Sequence, residues 1–100
     1  MDKLKPWADD KVAEQLRWMW ENGIIVERQH FKDELKAAGA SMLDIETIIL
    51  GVPKVENAEW DSKHKCFKYR VSGTDLDGEI LEFVVAFDTK HSRLFFITAF

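Results

Sequence analysis

A single cysteine, Cys66, leaves this 100-residue sequence without an internal disulfide and without a second thiol for a CxxC redox or metal pair. A reducing compartment, the cytosol, is therefore the expected setting. Long apolar runs are also missing. The longest, Ile24 to Val26, Ile48 to Leu50 and Phe83 to Phe87, fall far short of the roughly 20 residues that cross a bilayer. Met1 to Asp10 lacks the apolar stretch of a secretory leader, so a soluble, unprocessed chain is expected. Only two prolines and five glycines are present, and no linker, low-complexity tract or internal repeat marks a second unit. The 46% hydrophobic content suits one small domain, residues 1–100.

Positive charge is in short supply as well. A net charge of −4 excludes a protein that coats nucleic acid over its whole surface and leaves room for a local basic site only. The cations that are present cluster. Ser62 to Gly73 and Thr89 to Phe100 contain no Asp or Glu, yet they hold Lys63, Lys65, Lys68, Arg70, Lys90 and Arg93, six of the fourteen basic side chains.

Val12, Leu16, Met19 and Trp20 recur at helical spacing after Asp9 and Asp10, and Gly23 stops the pattern. Ile24 to Val26 is a short β-branched run, read as a brief strand at a sheet edge. Phe31, Leu35 and Ala38 give a second helix from Gln29 to Ala38. Ser41 caps a third, with Asp44 in its first turn and Ile45, Ile48 and Ile49 as its buried stripe. After Pro53 the period becomes two. Turn signals at Ser62 to Lys65, Thr74 to Gly78 and Thr89 to Ser92 divide the rest into strands Lys54 to Asp61, Cys66 to Gly73, Glu79 to Asp88 and Arg93 to Phe100. The expected fold is α+β, with the helices on one face of an antiparallel four- to five-stranded meander. Phe67, Tyr69, Val71, Leu81, Phe83, Val85 and Phe87 belong under the helices. Lys68 and Arg70 are left on the open face.

In a meander the first and third turns share one end of the sheet. Lys63, His64, Lys65, Lys90, His91 and Arg93 then form a basic pole, while Asp75, Asp77 and Glu79 occupy the opposite end. Such a pole suits an anionic partner such as RNA, and Arg70 offers a planar fork for phosphate oxygens. His30, at the start of the second helix, is a candidate general base. Zinc is not expected, because His30, His64 and His91 show no ligand spacing. Asp75 and Asp77 before Gly78 read as turn chemistry and not as a calcium loop. Trp18 points away from the Val12, Leu16, Met19 stripe and is a candidate contact for a partner protein.

His30, Phe31, Leu35, Gly39, Asp44, Ile45, Ile48 and Gly51, followed by Tyr69-Arg70-Val71-Ser72-Gly73, Asp75, Asp77-Gly78, Val84 to Phe87 and Phe96-Ile97-Thr98-Ala99-Phe100, resemble the pattern of a bacterial domain-of-unknown-function family. That family is similar in element order to the RelE-like toxins of toxin–antitoxin modules. The resemblance implies a RelE-like fold and a metal-independent, cofactor-free ribonuclease, or an RNA-binding descendant of one. It also implies an antitoxin-like partner or a homodimer. On this reading His30, Lys68 and Arg70 carry catalysis, and Lys63, Lys65, Tyr69 and Arg93 contact RNA. The alternative is a non-catalytic protein-interaction module of the same fold.

Overall fold

Asp9 and Asp10 place negative charge where the helix dipole favours it. They open α1 (Asp9–Asn22), whose Val12, Leu16 and Met19 are buried one turn apart. The computed structural model describes residues 5–100; positions 1–4, part of the N-terminal stretch read above, lie outside it. β1 (Ile24–Glu27), α2 (Gln29–Ala37) and α3 (Met42–Leu50) follow, then β2 (Lys54–Asp61), β3 (Cys66–Thr74), β4 (Ile80–Asp88), a single 3-10 turn (Thr89–His91) and β5 (Arg93–Ala99).

Just beyond α2, Gly39 takes a φ of 73° while its N–H donates to the Lys36 carbonyl and that of Ala40 donates to Leu35. This left-handed closure favours glycine. The first turn of α3 carries Asp44, one of whose oxygens accepts the Ser41 N–H at 2.9 Å while the other accepts the Leu76 N–H at 3.0 Å. One carboxylate thereby caps a helix and fixes the β3–β4 turn to it. Those two backbone donors hold the Asp44 carboxyl below the usual range.

The sheet order is β1-β5-β4-β3-β2. β2 to β5 form the expected antiparallel meander, but β1 joins the free edge of β5 in parallel, pairing Ile24 with Arg93 and Val26 with Phe95. The sheet is therefore mixed and not purely antiparallel. The cause is the entry point: the Ile24 N–H donates to the Ser92 carbonyl at 2.7 Å, so β1 begins beside the residue that leads into β5 and runs the same way.

Alternation sorts the two faces. Tyr69, Val71, Leu81, Phe83, Val85, Leu94, Phe96 and Ala99 are buried together with Val12, Leu16, Phe31, Leu35, Ile45 and Ile48. Phe96 lies at the centre, 5.2 Å from Phe31 and 5.9 Å from Phe83 between ring centroids. Each such ring contributes about 1.5–3 kcal/mol through area removed from water. The Nε1–H of Trp20, edge-on to Phe96, donates to Glu46 at 3.0 Å, so its polar atom is satisfied at the core margin. No helix among the described residues is long and apolar enough to cross a membrane.

Candidate nucleic-acid interface

The loops at the basic end of the sheet share one chemistry. β2 ends in Asp61-Ser62-Lys63-His64 and β4 ends in Asp88-Thr89-Lys90-His91. In each loop one oxygen of the Asp accepts the backbone N–H of the His three residues on, at 3.2 Å for His64 and 3.3 Å for His91. The other oxygen lies 2.9 Å from the His Nδ1 in both cases. The next residue is left-handed in each, Lys65 with φ 53° and Ser92 with φ 51°. A side-chain oxygen that satisfies loop amides is a common way to hold a turn. Here it also orients an imidazole.

Between these two loops the open face carries a groove of about 600 Å³. Phe95, Ala86 and Ile97 supply its apolar surface, and Arg28, Lys65, Lys68, His64 and His91 surround them with cations and imidazoles; the Phe87 ring turns to the core side, 5.2 Å from Trp7 and 5.9 Å from Tyr69. Ile97 shares the face of Phe95 by alternation, and an irregularity follows it in the β4–β5 ladder: Thr98 pairs with Val84 and Phe96 with Val85, which leaves Ile97 as the extra residue. Phe95 lies between two guanidinium groups, 5.6 Å from Arg28 and 5.5 Å from Arg93, in cation–π geometry. Among the described residues Arg28, Lys63, Lys65 and Lys90 form no ion pair.

The carboxylates at this end are strongly held. The hydrogen bond from His64 lowers the Asp61 carboxyl, and Arg93, followed by His91, lowers that of Asp88 to about 2. Arg93 reaches Asp88 with both Nε at 3.0 Å and Nη2 at 2.6 Å. An ionised carboxylate only accepts, so Nδ1 of each histidine carries the hydrogen and, in the neutral ring, Nε2 keeps its lone pair. Both imidazoles are more than half exposed, at 56% and 58%. Burial, followed by the charge of Asp61, pushes the Cys66 thiol up, which keeps it a weak nucleophile.

The structure divides the residues singled out from sequence. Lys65 and Lys68 line the groove, Lys68 also pairing with Glu59 at 3.6 Å. Arg70 lies farther along the same face, 3.7 Å from Glu82 and 4.4 Å from the Phe100 ring, beside a shallower depression that it shares with Lys68 and Val84. Lys63 is exposed in its turn, its N–H held by Asp61, and Arg93 is tied to Asp88. Tyr69 points the other way. It pairs with Val85, is 4% exposed, and its hydroxyl accepts the Trp7 N–H at 3.1 Å, so its ring belongs to the core and not to the open face. His30 is on α2, in the helix layer, 3.3 Å from Glu34. The trio of His30, Lys68 and Arg70 is thus not brought together, because the sheet separates α2 from the open face. Trp18 is 48% exposed and borders a small depression with Thr89 and Ser92.

Arg28, Asp61, Asp88, Phe95 and Ile97 escaped the sequence reading. A signal for the two aspartates was present, because Asp-Ser/Thr-Lys-His occurs twice, each time at the end of a strand, though it is too short to register as a repeat. Among the described residues no group of three or more His, Cys, Asp or Glu is arranged to hold a metal ion. No protein-family model, no curated protein and no solved structure matches the chain.

Proposed function

We propose that this chain is a cytosolic RNA-binding protein of RelE-like toxin type, with metal-independent RNA cleavage as its activity, acting through the groove at the basic end of the open sheet face. The observation that carries the reading is the composition of that groove, an aromatic and apolar floor at Phe95, Ala86 and Ile97 rimmed by Arg28, Lys65 and Lys68. Single-stranded nucleic acid is held by this combination: a base stacks on an aromatic face while the flanking phosphates meet cations. A volume of about 600 Å³ falls within the range of small-ligand sites and accommodates a nucleotide unit. In cleavage the RNA 2′-hydroxyl attacks the adjacent phosphorus, and Lys68 stabilises the charge that develops on the phosphoryl oxygens.

The test is binding of a fluorescent single-stranded oligoribonucleotide followed by anisotropy at several salt concentrations. For single strands the logarithm of affinity falls by roughly 0.7 per phosphate contact for each logarithm of salt. Replacing Lys65 and Lys68 with Ala together should weaken binding and flatten that slope by about 1.4, two contacts at that value. Affinity that ignores both salt and the two substitutions would refute the reading.

Trp18 favours a second reading, a non-catalytic module that binds a protein such as an antitoxin-like partner or a second copy. Its indole is 48% exposed beside the β4–β5 turn. Tryptophan contributes disproportionately to protein interfaces.

A further inference from the structure

The twin loops do more than close hairpins. We propose that His64 and His91 are the acid–base pair of an RNA-cleaving centre, each oriented by its own aspartate and acting through Nε2 on a phosphodiester held in the groove between them. This rests on the RNA reading above and deepens it.

Four observations converge on it. Both imidazoles line one groove. Each has Nδ1 fixed 2.9 Å from a carboxylate oxygen, which sets the ring orientation and leaves Nε2 available. Each carboxylate is anchored by the backbone N–H of the same histidine, so ring and carboxylate are held as a unit. Lys65 and Lys68 border the same space and supply positive charge for a phosphate. His30, bonded to Glu34 in the helix layer, has no part in this arrangement.

The reaction balances without a metal or any further reactant. The neutral histidine takes the proton of the 2′-hydroxyl as its oxygen bonds to phosphorus. The protonated histidine gives its proton to the 5′-oxygen as the P–O5′ bond breaks. The products are a 2′,3′-cyclic phosphate and a 5′-hydroxyl, and the two histidines have exchanged protonation states. A bell-shaped dependence of rate on pH follows, because one ring must be neutral and the other charged. Asp61 and Lys65 border His64 in this setting, and Asp88 and Arg93 border His91. Lys68 and the un-ionised Cys66 face the groove from β3 and Arg28 from the β1–α2 junction, and Lys63 and Lys90 stand in the loops themselves.

The experiment uses the full chain in EDTA with a 5′-labelled single-stranded oligoribonucleotide, and the 2′-O-methyl version of the same sequence as a probe that binds but cannot be cut. His64→Asn and His91→Asn keep a nitrogen donor where Nδ1 stood, preserve the bond to aspartate and remove Nε2. Each should slow cutting by about 10²- to 10⁴-fold. Affinity for the 2′-O-methyl probe and the urea midpoint should stay at wild-type values, and each variant should lose one limb of the pH profile. The wild-type fragments should end in a cyclic phosphate. Either variant cutting at the wild-type rate overturns the pair. Binding of the 2′-O-methyl probe with no cutting of RNA overturns it while leaving the RNA-binding reading intact, and failure of the wild type to bind the probe removes both.

Discussion

At Gly73 the sheet lies directly against Ile48 of α3, and replacing the glycine with Ala tests how rigidly α3 is held there. A Cβ at that position would meet the Ile48 side chain, with Cγ2 at 2.7 Å, Cγ1 at 3.1 Å and Cβ at 3.3 Å. Carbon atoms in good contact sit about 3.5–4.0 Å apart, so the methyl group needs several tenths of an ångström that only a shift of α3 or β3 can supply. Ile48 is 2% exposed and has nowhere to rotate. Overpacking of this kind costs about 1–3 kcal/mol, reduced by the roughly 0.4–1 kcal/mol that Gly→Ala gains from a less flexible unfolded chain. Ile48→Ala alone should cost about 2–5 kcal/mol through the cavity it leaves. In the double variant the new methyl enters the space that Cγ1 and Cγ2 vacated, so the two losses should fall short of additive by about 0.5–3 kcal/mol. Ile48→Val is the control. It removes Cδ1 and keeps both offending carbons, so it should give Gly73→Ala no relief. Urea unfolding of the four combinations reads all of this. Additive losses in Gly73→Ala/Ile48→Ala, or a neutral Gly73→Ala, would show that α3 does not press on β3 at this point.

Two further outcomes concern charge. Because the Asp88 carboxyl is held at about 2, below the usual 3.8, the stability it contributes is fully present above about pH 4 and is lost as pH falls through 2, with Asp61 and Asp44 lowered in the same direction. Arg93→Ala removes the largest cause of that depression. It should lower the urea midpoint at pH 7 and flatten its decline between about pH 4 and 2, whereas an unchanged acid limb would mean that Arg93 does not set it. Lys68→Glu combined with Arg70→Glu should abolish RNA binding and leave association with a protein partner nearly intact, and Trp18→Ala should do the reverse. Pull-down and anisotropy on the same preparations separate the two readings, and loss of both activities in either variant would mean that RNA and protein share one surface.

The elements were legible in the sequence nearly to the residue, because each rests on local signals: Gly39 and Gly51 after helical stripes, and Asp-Gly at 77 and 78 between alternating strands. The direction of β1 was not. Alternation tells which face a side chain takes, but Ile24 pairs with Arg93, and no local pattern records so distant a partner. Tyr69 illustrates the same limit from the other side. Its place in the alternation put it under the helices, where it lies, while the family resemblance named it as a contact for RNA. Residue type and helix position single out His30, yet the alternation that leaves Lys68 and Arg70 on the open face already sets them across the sheet from α2. The alternation of β5 puts Ile97 on the face of Phe95, whereas the one residue that β5 carries beyond what β4 can pair returns Ala99 to the core, an offset that no periodicity reveals.

An acidic protein can still present a cationic site to a polyanion if its charges are far enough apart. β3 and β4 are nine residues each, so at about 3.3 Å per residue the turn bearing Asp75, Asp77 and Glu79 stands about 30 Å from the loops of His64 and His91. At physiological salt, charges are screened over about 8 Å, and the acidic turn therefore cannot cancel the field at the groove. What could cancel it is close by: Asp61 and Asp88, already engaged by the histidines and Arg93, and Glu59, which pairs with Lys68. Among the described residues, Lys65, Lys63, Lys90 and Arg28 make no ion pair around the same space. The net charge of −4 is thus a property of the whole chain and a poor guide to this end of it. An anion approaching from solution meets the local surplus, and the two aspartates, held within their loops, serve to orient imidazoles instead of repelling it.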